Sequence, residues 1–352
     1  MTHWEVGSEF HWMNYPKGKY ISWPSPCRWY ATGRDAFLSL WDKVGLKSSK
    51  IVFVPEYFCP QVLSYWIQNG VRVRSYLDNP LLPHPDWASI DCSSGDMVLA
   101  LNFFGVRAGN PWIKWKKENE KVVLVEDHTH DPFSEWVRNS KADYAFASVR
   151  KILPIPDGAI LWSPRGRILP SSYLEDVSSG SALKLAAMIM KHDFLKQDIS
   201  NLRLKEAYRD FQEKGEKIYS TYPRVPLSPW SRFLVSHGYP VEWRVKREKN
   251  VLFFLRLLTN KTAFVKPLFT TWPSNHCPFN AVLLLSTKKV RDNLRKNLIK
   301  NNIYPAIHWQ RNKFSSKRSL DISTKIITIP VDHRYSSTDM GRIVRTISNI
   351  LS

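Results

Sequence analysis

Between residues 33 and 165 short apolar runs alternate with segments of helical periodicity, and this alternation constrains the fold more than any other feature of the chain. GRDAFLSLWDKVGL (33–46) places Ala36, Phe37, Leu40, Trp41 and Val44 on one face of a helix, with Gly45 near its end. KIVFVP (50–55) is a β-rich run stopped by Pro55. CPQVLSYWIQNG (59–70) reads as a second helix closed by Gly70, and VRVRSYLD (71–78) as the next strand. MVLALNFFG (97–105), KVVLVED (121–127), DYAFASV (143–149) and GAILWS (158–163) are further runs of strand length. Strands alternating with helices over this distance predict an α/β fold, with a mostly parallel central sheet flanked by helices.

The rest of the chain is less regular. SALKLAAMIMKHDFLKQDI (181–199) and KEAYRDFQEKGEKIY (205–219) read as helices, and YPRVPLSPWS (222–231) as an ordered, proline-rich connector. WRVKREKNVLFFLRLL (243–258) is a long helix. FNAVLLLS (279–286), a helix over 288–300, IITIP (326–330) and STDMGRIVRTISNIL (337–351) then suggest a smaller α+β unit. The expected organisation is an aromatic N-terminal segment (1–30), a large α/β domain (31–240) and a smaller C-terminal α+β domain (241–352).

Charge and cysteine usage narrow the function. Residues 1–150 hold 17 Lys and Arg against 16 Asp and Glu; the remainder holds 34 against 15. A basic second half suits an anionic partner. In KKVRDNLRKNLIKN (288–301), however, Val290, Leu294 and Leu298 form an apolar stripe with the charges on the other faces, the pattern of a solvated helix. No RNP, zinc-finger or helix-turn-helix pattern accompanies the charge, so nucleic acid is not an expected partner. The four cysteines (Cys27, Cys59, Cys92, Cys277) show no CxxC and no paired spacing, against both a zinc site and a disulfide framework. No run of eighteen apolar residues marks a membrane span. MTHWEVGSEFHWMNYPKGKY lacks the basic start and apolar stretch of a signal peptide, and a cytoplasmic location is expected. GxGxxG and GxxxxGK[ST] are both absent, which turns attention from dinucleotides and P-loop chemistry.

One constellation carries chemistry. A buried or half-buried Lys after a strand needs an anion or a covalent role, because an unpaired ammonium is costly to desolvate. For Lys151 the informative covalent role is a Schiff base with an aldehyde cofactor. Pyridoxal 5′-phosphate needs such a lysine, a carboxylate beside its pyridine nitrogen, and a phosphate cup at a helix N-terminus. Asp127, ending a strand, is the carboxylate candidate. Thr32, Gly33 and Arg34, opening a helix, are the cup candidates, with Ser148 adding a second hydroxyl. EDHTH (126–130) also admits a metal-binding reading, although its HxH lacks a third ligand nearby, and no metal is expected.

Taken in chain order, TGRDA (32–36), VPEYFCP (54–60), NGVRVRSYLD (69–78), NFFG (102–105), EDHTH (126–130), SVRK (148–151) and PDGA (156–159) resemble a known family. WRVKREKN (243–250), RDNLRKNLIKNNIYPAIHW (291–309) and TIPVDHRYSSTDM (328–340) extend the likeness. It is to the DegT/DnrJ/StrS family of fold type I, pyridoxal-phosphate-dependent sugar aminotransferases, over roughly residues 25 to 350. The resemblance implies that Lys151 bonds the cofactor and shuttles a proton, that Asp127 holds the pyridinium, and that His130 lies near the ring hydroxyl. It implies phosphate binding by Ser148 and the Gly33–Arg34 amides, and ring stacking by one of Tyr57 and Phe58. It further implies a homodimer, an amino donor such as glutamate and a nucleotide-linked keto sugar as acceptor. Lys151 also separates the chain from the family's dehydratase branch, where His takes that place. The chain departs from the family at Thr129 (Ala is usual), at Gly158–Ala159 (Gly-Gly) and at Asn302 (Gly). A non-sugar substrate, or a fold type I protein that binds without catalysis, remains an open alternative.

Overall fold

The structure is a computed structural model and describes residues 4–44, 50–171, 178–197, 201–258 and 264–352. Gly45, read above as a helix end, and residues 198 and 199, read as the close of another, lie outside the described residues.

Seven strands build the principal sheet: β1 (Cys27–Tyr30), β2 (Val52–Pro55), β3 (Val73–Tyr76), β4 (Met97–Leu101), β5 (Val123–Asp127), β6 (Tyr144–Ala147) and β7 (Ala159–Trp162). Their spatial order is 1-7-6-5-4-2-3. Neighbours among β2 to β6 pair in parallel, while β7 runs antiparallel to both β6 and β1. Every residue of β2, β4, β6 and β7 is buried, which is why these segments read as unbroken apolar runs. The edge strands β1 and β3 instead alternate, turning Arg28 and Arg74 to solvent, where charge discourages edge-to-edge pairing.

Helices cover both faces. On one, α1 (Gly33–Val44) and α2 (Pro60–Gln68) bury Phe37, Leu40, Trp41, Leu63 and Trp66, with Phe37 and Trp66 stacked at 3.9 Å. On the other, α3 (Asn110–Glu118) packs Trp112 and Trp115 against Phe53, Val98 and Leu124. Next come α4 (Ser179–Lys196) and α5 (Leu202–Thr221), a pair that crosses at two glycines: a Cβ on Gly215 would lie 2.7 Å from the Gly180 carbonyl oxygen. Only glycine allows that approach.

A second sheet follows, β8 (Val265–Pro267), β9 (Ala281–Leu285) and β10 (Ile326–Ile329), antiparallel throughout in the order 8-9-10. Its helices α6 (Val241–Leu258), α7 (Lys288–Lys300) and α8 (Ser337–Leu351) share one core with it, including Phe254, Leu283, Leu294, Ile327 and Ile343. Asn250 of α6 donates to the carbonyls of Val331, Asp332 and Tyr335, fastening the helix to the turn before α8. We place the division between large and small units at residues 240/241, where a two-residue strand, Tyr239–Pro240, passes directly into α6.

The aromatic N-terminal segment does not stand apart. Val6–Gly7 pairs with Ile303–Tyr304, Tyr20–Ile21 pairs with Tyr239–Pro240, and Cys27–Tyr30 is β1 itself. Its rings fill gaps in the same chain: Trp4 donates to Asp339, Tyr15 lies 5.0 Å from Trp243, and Trp23 meets Trp29 edge-on. Among the described residues no helix is long and apolar enough to cross a membrane.

Candidate active site

Parallel strands bring their carboxyl ends to one edge of the sheet, and Asp127 is the last residue of β5, in register with Leu101 of β4 and Phe146 of β6. Its Oδ1 accepts the Thr129 N–H at 2.9 Å, and it lines a cavity of about 170 Å³. Burial pushes its carboxyl above the ordinary aspartate value, offset in part by the Thr129 hydrogen bonds and by His128. Among the described residues no lysine or arginine pairs with it. Glu126, one residue earlier, faces the other way and accepts from His128 Nε2 (2.9 Å), Trp136 Nε1 (2.8 Å) and Ser140 Oγ (2.6 Å). The two acids of EDHTH thus serve different ends because successive strand residues point to opposite faces. Neither Glu126 nor His128 lines the cavity. Among the described residues no three His, Cys, Asp or Glu side chains stand close enough to share a metal ion.

His130 forms part of an aromatic wall. It stacks on Phe279 at 4.6 Å and on Trp309 at 5.7 Å, and its Nδ1 accepts the Phe104 N–H at 3.0 Å. Burial, with His308, Lys151 and Arg247 nearby, drives its pKa well below the usual histidine value. It is therefore a neutral ring whose proton sits on Nε2. His308 also lines the cavity, and burial lowers its pKa to about 3.

Of the two stacking candidates, Phe58 lines the cavity and Tyr57 does not. Tyr57 is turned away because both functions of its hydroxyl are taken: it donates to the His308 carbonyl (2.6 Å) and accepts the Trp309 N–H (3.0 Å). Its place is behind the wall, holding the 308–309 loop.

The cup candidates converge at the N-terminus of α1. Gly33 packs so tightly on β6 that a Cβ there would lie 3.3 Å from Ser148 Cβ, which brings the start of the helix beside the serine. The Gly33 and Arg34 amides, first in the helix, have no intrahelical acceptor and stand at the positive end of its dipole. Thr32 differs from the expectation that its hydroxyl faces an anion. That hydroxyl donates to Asp35 Oδ2 at 2.6 Å, because the buried Asp35 carboxylate in the first turn competes for it. The Arg34 side chain also leaves the cup, reaching Glu216 at 3.0 Å and covering the Tyr65 ring.

Lys151 closes a one-turn 3₁₀ helix (Val149–Lys151) after β6. The expectation of a buried or half-buried lysine does not hold: at the end of this short turn the residue is exposed, and it lines the cavity. Among the described residues its amine has no hydrogen-bond or ion-pair partner. Beside it the Glu216 carboxylate of α5 gathers Arg34, Arg150 (2.6 Å) and Lys184 (3.0 Å), and these cations hold it far below the usual glutamate value. Reading the sequence did not single out Arg150, Glu216, Phe279, His308 or Trp309. Arg150 and Glu216 lie 66 positions apart, so no local spacing could have announced their pairing.

Neither a protein-family model nor a curated protein sequence matches the chain. Solved structures match its backbone. The chain is similar to the putative sugar aminotransferase Spr1654 from Streptococcus pneumoniae in its PMP-form, with 13% identity, 92% of this chain and 85% of that one covered, and a TM-score of 0.63. It has fold type I. The same fold appears in a DegT DnrJ EryC1 StrS aminotransferase from Brucella abortus, at 14% identity, 93% and 86% coverage and a TM-score of 0.56. It appears again in 3-amino-5-hydroxybenzoic acid synthase, at 13% identity, 92% and 86% coverage and a TM-score of 0.60. At such identities the likeness is one of fold, and the residues of the fold type I cavity have to argue their own roles.

Proposed function

We propose that the protein is a pyridoxal 5′-phosphate-dependent aminotransferase, carrying an amino group from an amino acid such as glutamate to a keto sugar bound to a nucleotide. The observation that carries this reading is Asp127: among the described residues, a buried carboxylate without a cation, in the cavity that a lysine amine, likewise without a partner there, also lines. A protonated ring nitrogen is the partner such a carboxylate lacks. The other residues fit the same group. The Gly33 and Arg34 amides with Ser148 would hold a phosphate, Lys151 would bond the aldehyde, and Phe58 and His130 would flank the ring.

Bound there, the cofactor supplies an electron sink for the carbon that bears the amine. The chain's own residues do the rest. Lys151, free of partners among the described residues, can take a proton from the donor's carbon and return it elsewhere. Thr129 fixes the carboxylate of Asp127 through its N–H, and its Oγ1 accepts the Ser148 N–H at 3.0 Å, so the two ends of the site share one support. Neutral His130 can donate through Nε2, while Phe279 and Trp309 keep water from that wall. The basic second half supports an anionic, nucleotide-linked acceptor. A homodimer and a cytoplasmic location belong to the same proposal. A non-sugar acceptor is the second reading, favoured by the comparable likeness to 3-amino-5-hydroxybenzoic acid synthase.

The test mixes purified protein with pyridoxal phosphate, reduces with borohydride and maps the adduct by mass spectrometry. The expected result is a single adduct at Lys151, with a visible band that free cofactor lacks and that Lys151→Ala abolishes. No adduct, or one indifferent to Lys151→Ala, overturns the proposal. Nucleotide-linked amino sugars and alicyclic amines that carry no nucleotide then separate the two acceptor classes as substrates of the reverse half-reaction.

A further inference from the structure

A second cavity, of about 530 Å³, lies between the N-terminal segment at Ser8–Phe10, the α4–α5 pair and the turn after Lys151. Its volume is within the range of small-molecule sites, roughly 300–1,000 Å³. It adjoins the smaller cavity, sharing Gln61, Arg150, Lys151 and Glu216 as wall. Nothing in the cofactor chemistry above uses it.

Its charge is unbalanced where it is most buried. Three cations converge on the single carboxylate of Glu216, with side-chain exposures of 13% (Arg34), 15% (Arg150) and 5% (Lys184). Arg150 Nε is buried with no hydrogen-bond partner among the described residues. Lys184 has three donors, and Glu216 at 3.0 Å is its one hydrogen-bond acceptor among the described residues. Ammonium and guanidinium groups removed from water need anions. Among the described residues Glu216 is the carboxylate in contact with all three, and with Glu9 acting on Arg150 and Lys184 from a distance the three cations still face two carboxylates. Arg209, exposed, adds a further cation to the wall, against the exposed carboxylates of Glu9 and Glu213. The Glu9 carboxyl is itself held low by Lys184, Lys151 and Arg150.

The geometry points to an oxyanion subsite in this cavity, built by Arg150 and Lys184 with Arg209 beside them, that takes a phosphate or diphosphate group. Glu216 holds the cations in place and sets the affinity by competing for them. A ligand anchored there extends toward Lys151, which lines both cavities. The identity of that remainder rests on the aminotransferase reading; the subsite does not.

Calorimetric titration with inorganic pyrophosphate tests it, on wild type with and without pyridoxal phosphate, and beside glutarate as a dicarboxylate probe. Saturable, salt-sensitive binding is expected, weakened roughly tenfold or more in Lys184→Met, the loss typical of a charge-assisted hydrogen bond. Glu216→Gln acts in the opposite direction and tightens binding, an outcome that mere loss of folding cannot produce. Arg209→Gln, at an exposed position, weakens it by a smaller factor. Indifference to these changes, or displacement of pyrophosphate by pyridoxal phosphate (which would assign the ion to the α1 end), overturns the subsite. Binding of glutarate alone moves the site to the amino donor and overturns the phosphate assignment. Intact pyrophosphate binding without cofactor capture at Lys151 overturns the aminotransferase reading and leaves the subsite standing; the converse pattern does the reverse.

Discussion

Glu126 and Asp127 are adjacent, chemically alike and both buried, yet one is spoken for and the other is not. Strand alternation alone separates them, and the separation can be measured. Glu126→Ala strands three buried donors and should lower unfolding stability by roughly 3 kcal/mol in a denaturant titration, with adduct formation at Lys151 retained. Asp127→Asn should keep the fold and still capture cofactor, while kcat/KM falls by about two orders of magnitude or more, as an amide cannot hold the ring nitrogen protonated. Glu216 gives a pH signature. Its folded pKa lies below the ordinary glutamate value, so it contributes stability above about pH 4.5 that is lost as the pH falls toward its folded value. Wild type should therefore lose Tm more steeply than Glu216→Gln between pH 5 and 3, and the variant should melt lower at pH 7 in the absence of anions.

Among elements, α1 matters most, because its first turn must sit against the end of β6. Gly33→Ala places a Cβ 3.3 Å from Ser148 Cβ, with the Phe146 ring 3.7 Å away. The ring contact is an ordinary one, but Ser148 Cβ and the start of the helix must part by a few tenths of an ångström, which moves the amides from the serine. Cofactor affinity should drop at least fivefold by equilibrium titration, while Tm falls by only a few degrees. The central strands were legible as unbroken apolar runs because both of their faces are covered, and α1 and α2 through their apolar spacing. Strand β1 was not. CRWY sits inside an aromatic segment and exposes Arg28, so its edge role is visible only once β7 lies beside it. That β7 runs against the other strands was equally hidden, since GAILW reads the same in either direction.

For the whole molecule, the N-terminal segment is a tie between the small unit and the α4–α5 pair. Glu5 bridges Lys191 (2.9 Å) and Lys205 (3.1 Å), with the Glu5 and Lys191 side chains each 2% exposed, while Val6–Gly7 extends Ile303–Tyr304. Glu5→Ala leaves Lys191 buried with the Glu9 carbonyl as its remaining acceptor among the described residues. Breaking such a pair costs on the order of 3 kcal/mol, so the variant should unfold at lower denaturant and lose its N-terminal residues to protease sooner than wild type. The basic charge of residues 151–352 also acquires an address at this scale. Part of it is the solvated face of α7, where the chain's own pattern put it, and Lys184 meets Arg34 and Arg150 of the first half at Glu216.

What the sequence by itself determined is what depends on neighbours along the chain: the alternation of strand and helix, the acid that ends β5, the glycine that opens α1, and the lysine three residues beyond Ser148. Periodicity and capping are local physics and leave local marks. The tertiary structure alone decided which of two adjacent acids faces the cavity, that Tyr57 serves the wall and Phe58 the interior, that Thr32 turns to Asp35, and that Lys151 stands exposed. It alone brought Arg34, Arg150, Lys184 and Glu216 together. Charge pairs closed across 66 and 182 residues carry no spacing rule, because chain folding and not chain order sets the distance between them.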